Sequence, residues 1–357
     1  MKVLRFTGPL LPDGDVRDLY VVDGRVTYEP QPGAETAARG WIVPGLVDAH
    51  CHIGVDDDGA VTDEESEAQA LEDRDAGALL IRDAGSAADT RWIHGRDDLP
   101  RLIRAGRHIG RTKRYIRGYA HEVEPDELVD HTVREAQAGD GWVKLVGDWI
   151  SREEGDLAPS FPPEAFAAAI AAAHEHGAKV TAHCFGAAVL PGLIGAGIDC
   201  IEHGTGLTPD LVEAMVAREV ALVPTVMQLE KFPGYAAAGA ARYPAYAASM
   251  TELYDRRRET IMAAYEAGVA IYAGSDGGGI SRHGNLPGEV LALAECGMPA
   301  DYALGAASWR ARAWLGWNAT LDQGAPADFV VYPTDPLADL EVLRTPERVV
   351  LRGRVVA

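Results

Sequence analysis

Three observations predict an α/β fold, a (β/α)8 TIM-type barrel carrying a small β-sandwich. Apolar strand-like runs alternate with alanine-rich helical stretches through the middle of the chain. Short strand-and-turn segments stand at both ends, and metal-binding residue types recur where the apolar runs stop. The alternation argues for a parallel sheet, and eight repeats fit a barrel in 357 residues. The expected division gives the barrel residues 44–324, and the sandwich residues 1–43 with 325–357.

The elements follow in chain order. Residues 1 to about 43 read as short strands with turn signals at Pro12-Asp13-Gly14 and Asp23-Gly24. Barrel strands are expected near 46–52, 78–84, 114–119, 142–147, 179–183, 198–202, 220–225 and 270–275. The third is crowded by Arg111, Lys113, Arg114 and Arg117. Pro163 to His176 is a helix, with Pro near its start and Gly177 just past its end. Residues 227–250 form a long aromatic and alanine-rich insert after the seventh strand, a candidate cap for a pocket.

Bulk composition excludes several function classes. Net charge is −21, with 54 acidic against 33 basic residues, which argues against nucleic acid or an anionic membrane as the partner. A small-molecule substrate is expected instead, with homo-oligomerisation left open. The start, Met1 to Phe6, has no signal-peptide apolar region, and no run of about eighteen apolar residues follows. A cytoplasmic protein is the expectation, and the sequon Asn318-Ala319-Thr320 is then unglycosylated. Cys51, Cys184, Cys200 and Cys296 contain no CxxC pair, so a zinc knuckle or redox motif is not indicated.

Chemistry concentrates at strand ends. The run Val43 to Ala49 ends in His50-Cys51-His52. In a strand, residues i and i+2 point to one face, roughly 6.6 Å apart. Two imidazoles side by side suit zinc and similar divalent ions. Cys51 should then face the other way, as should Cys184 beside His183, and both read as small buried residues. Lys144 lies inside the apolar run Trp142 to Val146, and the later runs lead to His183, His203 and Asp276. His174-Glu175-His176 is also HxH but lies on a helix, where i and i+2 are about 200° apart, so it is read as structural. Ser275 in Gly274-Ser275-Asp276-Gly277 could pass for a nucleophile, but only His283 follows it, and a serine hydrolase of that kind needs Asp and then His far downstream.

The order HxH, Lys, His, His, Asp resembles the amidohydrolase superfamily. The closest likeness is to its imidazolonepropionase-like and Xaa-Pro dipeptidase-like branch, with a binuclear metal site. Val21 to Val26 resembles the family's N-terminal hairpin, and Arg82-Asp83-Ala84-Gly85 its second barrel strand. Ala325 to Val331 and Val349 to Val355 resemble its C-terminal return to the first sheet. The resemblance implies that His50, His52 and Asp276 bind one metal ion, and that His183 and His203 bind a second. It also implies that Lys144, carboxylated to a carbamate, bridges the two. Burial supports this by favouring the neutral amine that takes up carbon dioxide. Zinc is the default ion; manganese, iron or cobalt fit similar ligands.

The implied activity is hydrolysis of a C–N bond, an amide in a dipeptide or N-acyl amino acid. Asp276 is the expected proton shuttle, and His203 serves the ion that polarises the carbonyl. Tyr119 and His121, in Gly118-Tyr119-Ala120-His121, occupy the place of a glycine-histidine motif, so His121 is a candidate contact to substrate or oxyanion. Here Tyr119, Ala120 and Glu122 replace the family's glycines. Arg152 and Arg282 are candidates for a substrate carboxylate, and His283 belongs to the loop after the last strand. Alternatives are a cyclic amide, lactone or ester hydrolase with the same site, or a catalytically silent barrel scaffold.

Overall fold

The computed structural model describes residues 3–357. Strands from both ends of the chain share one sheet. Its order is Arg354–Val355, Arg348–Leu351, Phe329–Tyr332, Trp41–Pro44, Leu4–Leu10, Asp15–Val22 and Arg25–Thr27, with Glu35–Arg39 also paired to Leu4–Leu10. Asp23-Gly24 turns one hairpin with φ of 49° and 77°, and Arg352-Gly353 turns another with the same two values. Two successive positive φ angles are what a type I′ turn needs, and Asp-Gly supplies them cheaply. Phe6, Leu19, Ile42, Phe329, Val331 and Val350 are buried together in this unit.

Trp41–Pro44 runs through Gly45 directly into the first barrel strand, Leu46–Cys51. That strand pairs in parallel with Ala78–Asp83, which pairs with Arg101–Arg104. Further round, Ile109–Arg111, Trp142–Val146, Lys179–Cys184, Cys200–His203 and Ala221–Val223 form consecutive parallel pairs. The order and direction are those of a TIM-barrel-like α/β fold.

Two expected strands differ. Residues 114–119 are turn and coil, and the third stave is Arg101–Arg104 with Ile109–Arg111. Burying Arg114 and Arg117 in a stave would strip water from charges without partners. Arg101 and Arg104 avoid this by pairing with Asp328 and Asp140. The eighth stave, near 270–275, has only a single bridge, Ile271 to Leu222. It is nonetheless held on both sides: Tyr272 N–H donates to Leu222 at 3.0 Å, and Ala49 N–H donates to Ala273 at 2.9 Å. Gly274 is required there, since a Cβ would lie 2.5 Å from the His50 Cβ.

Asp328 fastens the terminal sheet to the barrel. Its carboxylate accepts from Arg101 Nε and from the Arg352 backbone N–H, both at 2.7 Å, with Arg312 Nη2 at 3.9 Å. Arg312 is buried and also donates to the carbonyls of Gly45 and Asn318. Removing one partner of a buried charge network leaves the others uncompensated. Asp328→Ala should therefore cost about 3–5 kcal/mol of stability, read by chemical denaturation. A loss below about 1 kcal/mol would show that the sheet is held by packing alone.

Candidate metal centre

The strand Leu46–Cys51 is buried throughout, so its alternation sends His50 and His52 to one side and Cys51 to the other. His50 Nε2 and His52 Nε2 lie 3.0 Å apart, and Asp276 Oδ1 lies 3.0 and 3.1 Å from them. The opposite ring nitrogens are already committed. His50 Nδ1 donates to Glu202 Oε2 at 2.5 Å, and His52 Nδ1 donates to the Gly85 carbonyl at 2.7 Å. Each Nε2 then carries a lone pair. With Nδ1 turned outward in each ring, both Nε2 atoms and a carboxylate oxygen converge on one point, a set that fits a divalent cation.

A second set adjoins it. The His203 ring sits 4.6 Å from that of His183 and 5.3 Å from that of His50. His203 Nδ1 donates to Thr225 Oγ1 at 2.6 Å, while the threonine's own proton goes to the Pro224 carbonyl. His183 Nε2 is buried with no partner among the described residues. Burial holds His203 down to about 3 and His183 well below its usual range, so both are neutral ligands-in-waiting. Lys144 is buried on Trp142–Val146, and its ammonium acts on His50, His52, His183 and His203 through space. Desolvation lowers its pKa and outweighs the attraction of Glu202 and Asp276. His50, His52 and Asp276 have the donor types for a divalent ion, and the neutral imidazoles of His183 and His203 lie beside them.

The backbone around this centre is strained. His203, Thr225 and Asp276 have φ of 66°, 47° and 53°. Such left-handed positions cost of order 1–3 kcal/mol each, the most for a β-branched threonine. Buried carboxylates hold the neighbouring turns. Glu289 accepts from Val226 and Met227, Asp148 from Phe185 and Gly186, and Asp83 from Ile53 and Gly85, all backbone N–H groups.

A cavity of about 210 Å³ opens over the cluster, walled by Tyr115, Trp149, Phe185, Tyr235 and Tyr246, with Tyr119 beside them. The insert 227–250 supplies Tyr235 and Tyr246 from the helices Phe232–Gly239 and Pro244–Ala267, as a cap would.

Six sequence-predicted residues, His50, His52, Lys144, His183, His203 and Asp276, come together, and Tyr119 lines the cavity. The others do not reach it. His121 opens a short strand, bonds Glu135 at 2.9 Å and lines a separate cleft with Arg104 and Arg107. The turn at 112–120 brings Tyr115 and Tyr119 to the cavity instead, and carries His121 past it. Arg152 and Arg282 are exposed. His283 is buried behind the cavity, with Nδ1 2.8 Å from Asp73 Oδ2. His174 and His176 lie at a helix end, bonded to Asp199 and the Ala172 carbonyl.

Sequence reasoning missed Glu202, Arg82 and His108. Glu202 is fully buried and accepts from Arg82 Nη2 at 2.7 Å and from Thr181 Oγ1. Burial alone would raise its pKa, but Arg82 and His50 hold it well below the carboxylate range. The signal was available: an acid inside the apolar run Cys200 to His203. His108 stacks on His52 at 5.0 Å, fully buried, with neither ring nitrogen bonded.

The amidohydrolase family model matches residues 41–356. An uncharacterized protein of Mycobacterium tuberculosis is 54% identical over 353 residues, covering 98% of this chain and 95% of the relative. Among solved structures, a Xaa-Pro dipeptidase with methionine bound in its active site superposes with a TM-score of 0.84 at 21% identity, covering 99% of both chains. Ochratoxinase of A. niger does so with a TM-score of 0.80 at 21% identity, covering 99% of this chain and 96% of that one.

Glu202 fixes the His50 tautomer, so Glu202→Gln should weaken metal binding by about 10–100-fold, as loss of an outer partner does elsewhere. Zinc titration against a competing chelator measures it. Unchanged affinity in a folded variant would show that His50 is positioned by packing alone.

Proposed function

The chain belongs to the amidohydrolase family, and we propose that within it this protein is a binuclear metal-dependent hydrolase of a C–N bond. The substrate class is an amide in a small molecule such as a dipeptide or N-acyl amino acid. The observation that carries the reading is the convergence of His50 Nε2, His52 Nε2 and Asp276 Oδ1 within 3.1 Å of one another at the floor of the cavity. A silent scaffold gains nothing from gathering polar groups there.

In this reading His50, His52 and Asp276 would hold one ion and His183 and His203 a second, with a carboxylated Lys144 supplying the anionic group between the two sets. When bound, such ions supply a Lewis acid for the scissile carbonyl and lower the pKa of water toward neutrality. The residues supply the rest. Glu202, the Gly85 carbonyl and Thr225 keep His50, His52 and His203 aimed inward, so geometry is set before substrate arrives. Asp276, held well below the usual carboxylate range by His50 against the pull of burial, is ionised at neutral pH. It can take a proton from attacking water at its free oxygen and deliver it to the leaving nitrogen. Amide nitrogen leaves poorly unless protonated, so that transfer is needed for the bond to break. The aromatic walls exclude bulk water and strengthen every charge interaction inside.

The direct test is hydrolysis of a library of dipeptides and N-acyl amino acids by zinc-loaded protein, before and after chelation. Cleavage that chelation abolishes and zinc restores is the expected result. No cleavage of any member, or full activity without metal, would overturn the reading.

Two substitutions divide the roles. Asp276→Asn keeps the shape but is a poor base, so turnover should fall by about 10²–10⁴ while metal content changes less. Lys144→Ala should lose most bound metal as well as activity, with partial rescue by short carboxylic acids. Full metal occupancy in Lys144→Ala would remove the bridge from the mechanism.

A further inference from the structure

Arg152 and Arg282 do not line the cavity, yet another cation bonds a residue that does. Lys231 precedes the helix Phe232–Gly239 and is half-buried. Its Nζ donates to Ser281 Oγ at 2.5 Å, and Ser281 lines the cavity. Ser281 Oγ lies 3.4 Å from Gln228 Oε1, whose amide nitrogen donates to the Tyr235 hydroxyl at 3.0 Å. Gln228 and Tyr235 also line the cavity, so Lys231 stands behind one polar edge of its wall, one hydrogen bond away through Ser281.

An ammonium has three protons to donate. Ser281 takes one, and no acid lies within 4.0 Å of Nζ among the described residues. The carboxylates that act on Lys231 do so from a distance, and Asp276 of the metal cluster is the foremost. Burial depresses its pKa, the cost of holding a cation half out of water without a counter-ion. By contrast, Arg114 beside Trp149 is spent on the carbonyls of Trp149 and Ala158.

We propose that Lys231 receives the carboxylate of the substrate and so restricts the enzyme to amides that carry a free acid on the leaving-nitrogen side. The inference rests on the hydrolase reading above and adds the residue that selects within it. The acyl group then lies against Tyr115, Trp149 and Phe185, and the amide spans the metal cluster. Lys231 binds substrate and takes no part in the bond-breaking step.

The test separates binding from turnover. β-Benzoylpropionate has a CH2 where N-benzoylglycine has its amide NH, so it cannot be cleaved at that bond. Its neutral analogue carries CH2OH in place of the carboxylate. Calorimetric titration of zinc-loaded wild type should show the acid binding about 10–100-fold tighter than the alcohol, the range of a charge-assisted hydrogen bond. Lys231→Met should bring the two affinities together by weakening the acid alone. Lys231→Arg should restore most of the difference, which a loss of folding could not do. A wild type with no preference, or a Lys231→Met variant that keeps it, overturns the assignment. Turnover of N-benzoylglycine and the rest of the amide library is scored separately: binding preference without cleavage of any member keeps Lys231 and overturns the hydrolase reading, and cleavage without preference does the reverse.

Discussion

The structure is organised around one buried carboxylate, Glu202. It accepts from Arg82, from Thr181 and from His50 Nδ1, and all four side chains are buried. Arg82 in turn packs against Trp142 and Trp314, with its guanidinium 4.6 and 5.0 Å from their rings. A charge of either sign alone in this interior would be costly to desolvate; together they neutralise each other. Glu202 also stabilises the donor form of His50 Nδ1, and through it the direction of the Nε2 lone pair. The barrel interior and the cluster around His50 thus depend on the same ion pair.

A second layer of buried carboxylates acts on backbone alone. Asp83 and Asp148 are pushed up to about 7, and Glu289 to about 8, chiefly by desolvation, and their backbone N–H donors only partly offset it. The sign follows from linkage. A raised carboxylate contributes stability below its unfolded pKa and loses it as pH rises through about 7 or 8. Glu202 and Asp276 have lowered values and act oppositely, contributing above the ordinary carboxylate range and losing that as pH falls. The clamps therefore cost stability at neutral pH, and what they return is position. Each grips the turn that follows a ligand-bearing strand or faces one.

The clustering of the six candidate residues was legible in the sequence because strand alternation and burial both leave marks in a linear text. An apolar run that ends in HxH can be read without coordinates, and so can a lysine in a run of valine, leucine and tryptophan. Contacts between distant segments leave no such mark. Glu202 and His203 are neighbours, and a regular strand would point them to opposite faces. The positive φ of His203 ends the alternation and lets both serve the cluster. His121 was misplaced for a related reason. The motif around it departs from the family's glycines, and the third stave actually begins thirteen residues earlier, where Arg101 and Arg104 hide a strand behind charges that turn out to be paired. The terminal sheet was easier, since Asp23-Gly24 encodes its hairpin locally, although its partner strands at Phe329–Tyr332 lie far along the chain.

The strained positions show when the energetic cost of the site is met. Thr225, His203 and Asp276 hold left-handed backbone conformations, and each is fixed from outside: Thr225 by the turn that Glu289 grips, His203 by Thr225, and Asp276 by its backbone N–H to the His50 carbonyl at 2.8 Å. These restraints come from folding and need no ligand. The strain is therefore borne by the stability of the whole barrel, and the imidazoles are already aligned when an ion or substrate arrives. Relieving it would stabilise the fold while blurring the centre, which is the trade expected where a rigid scaffold is built to hold a few side chains in place.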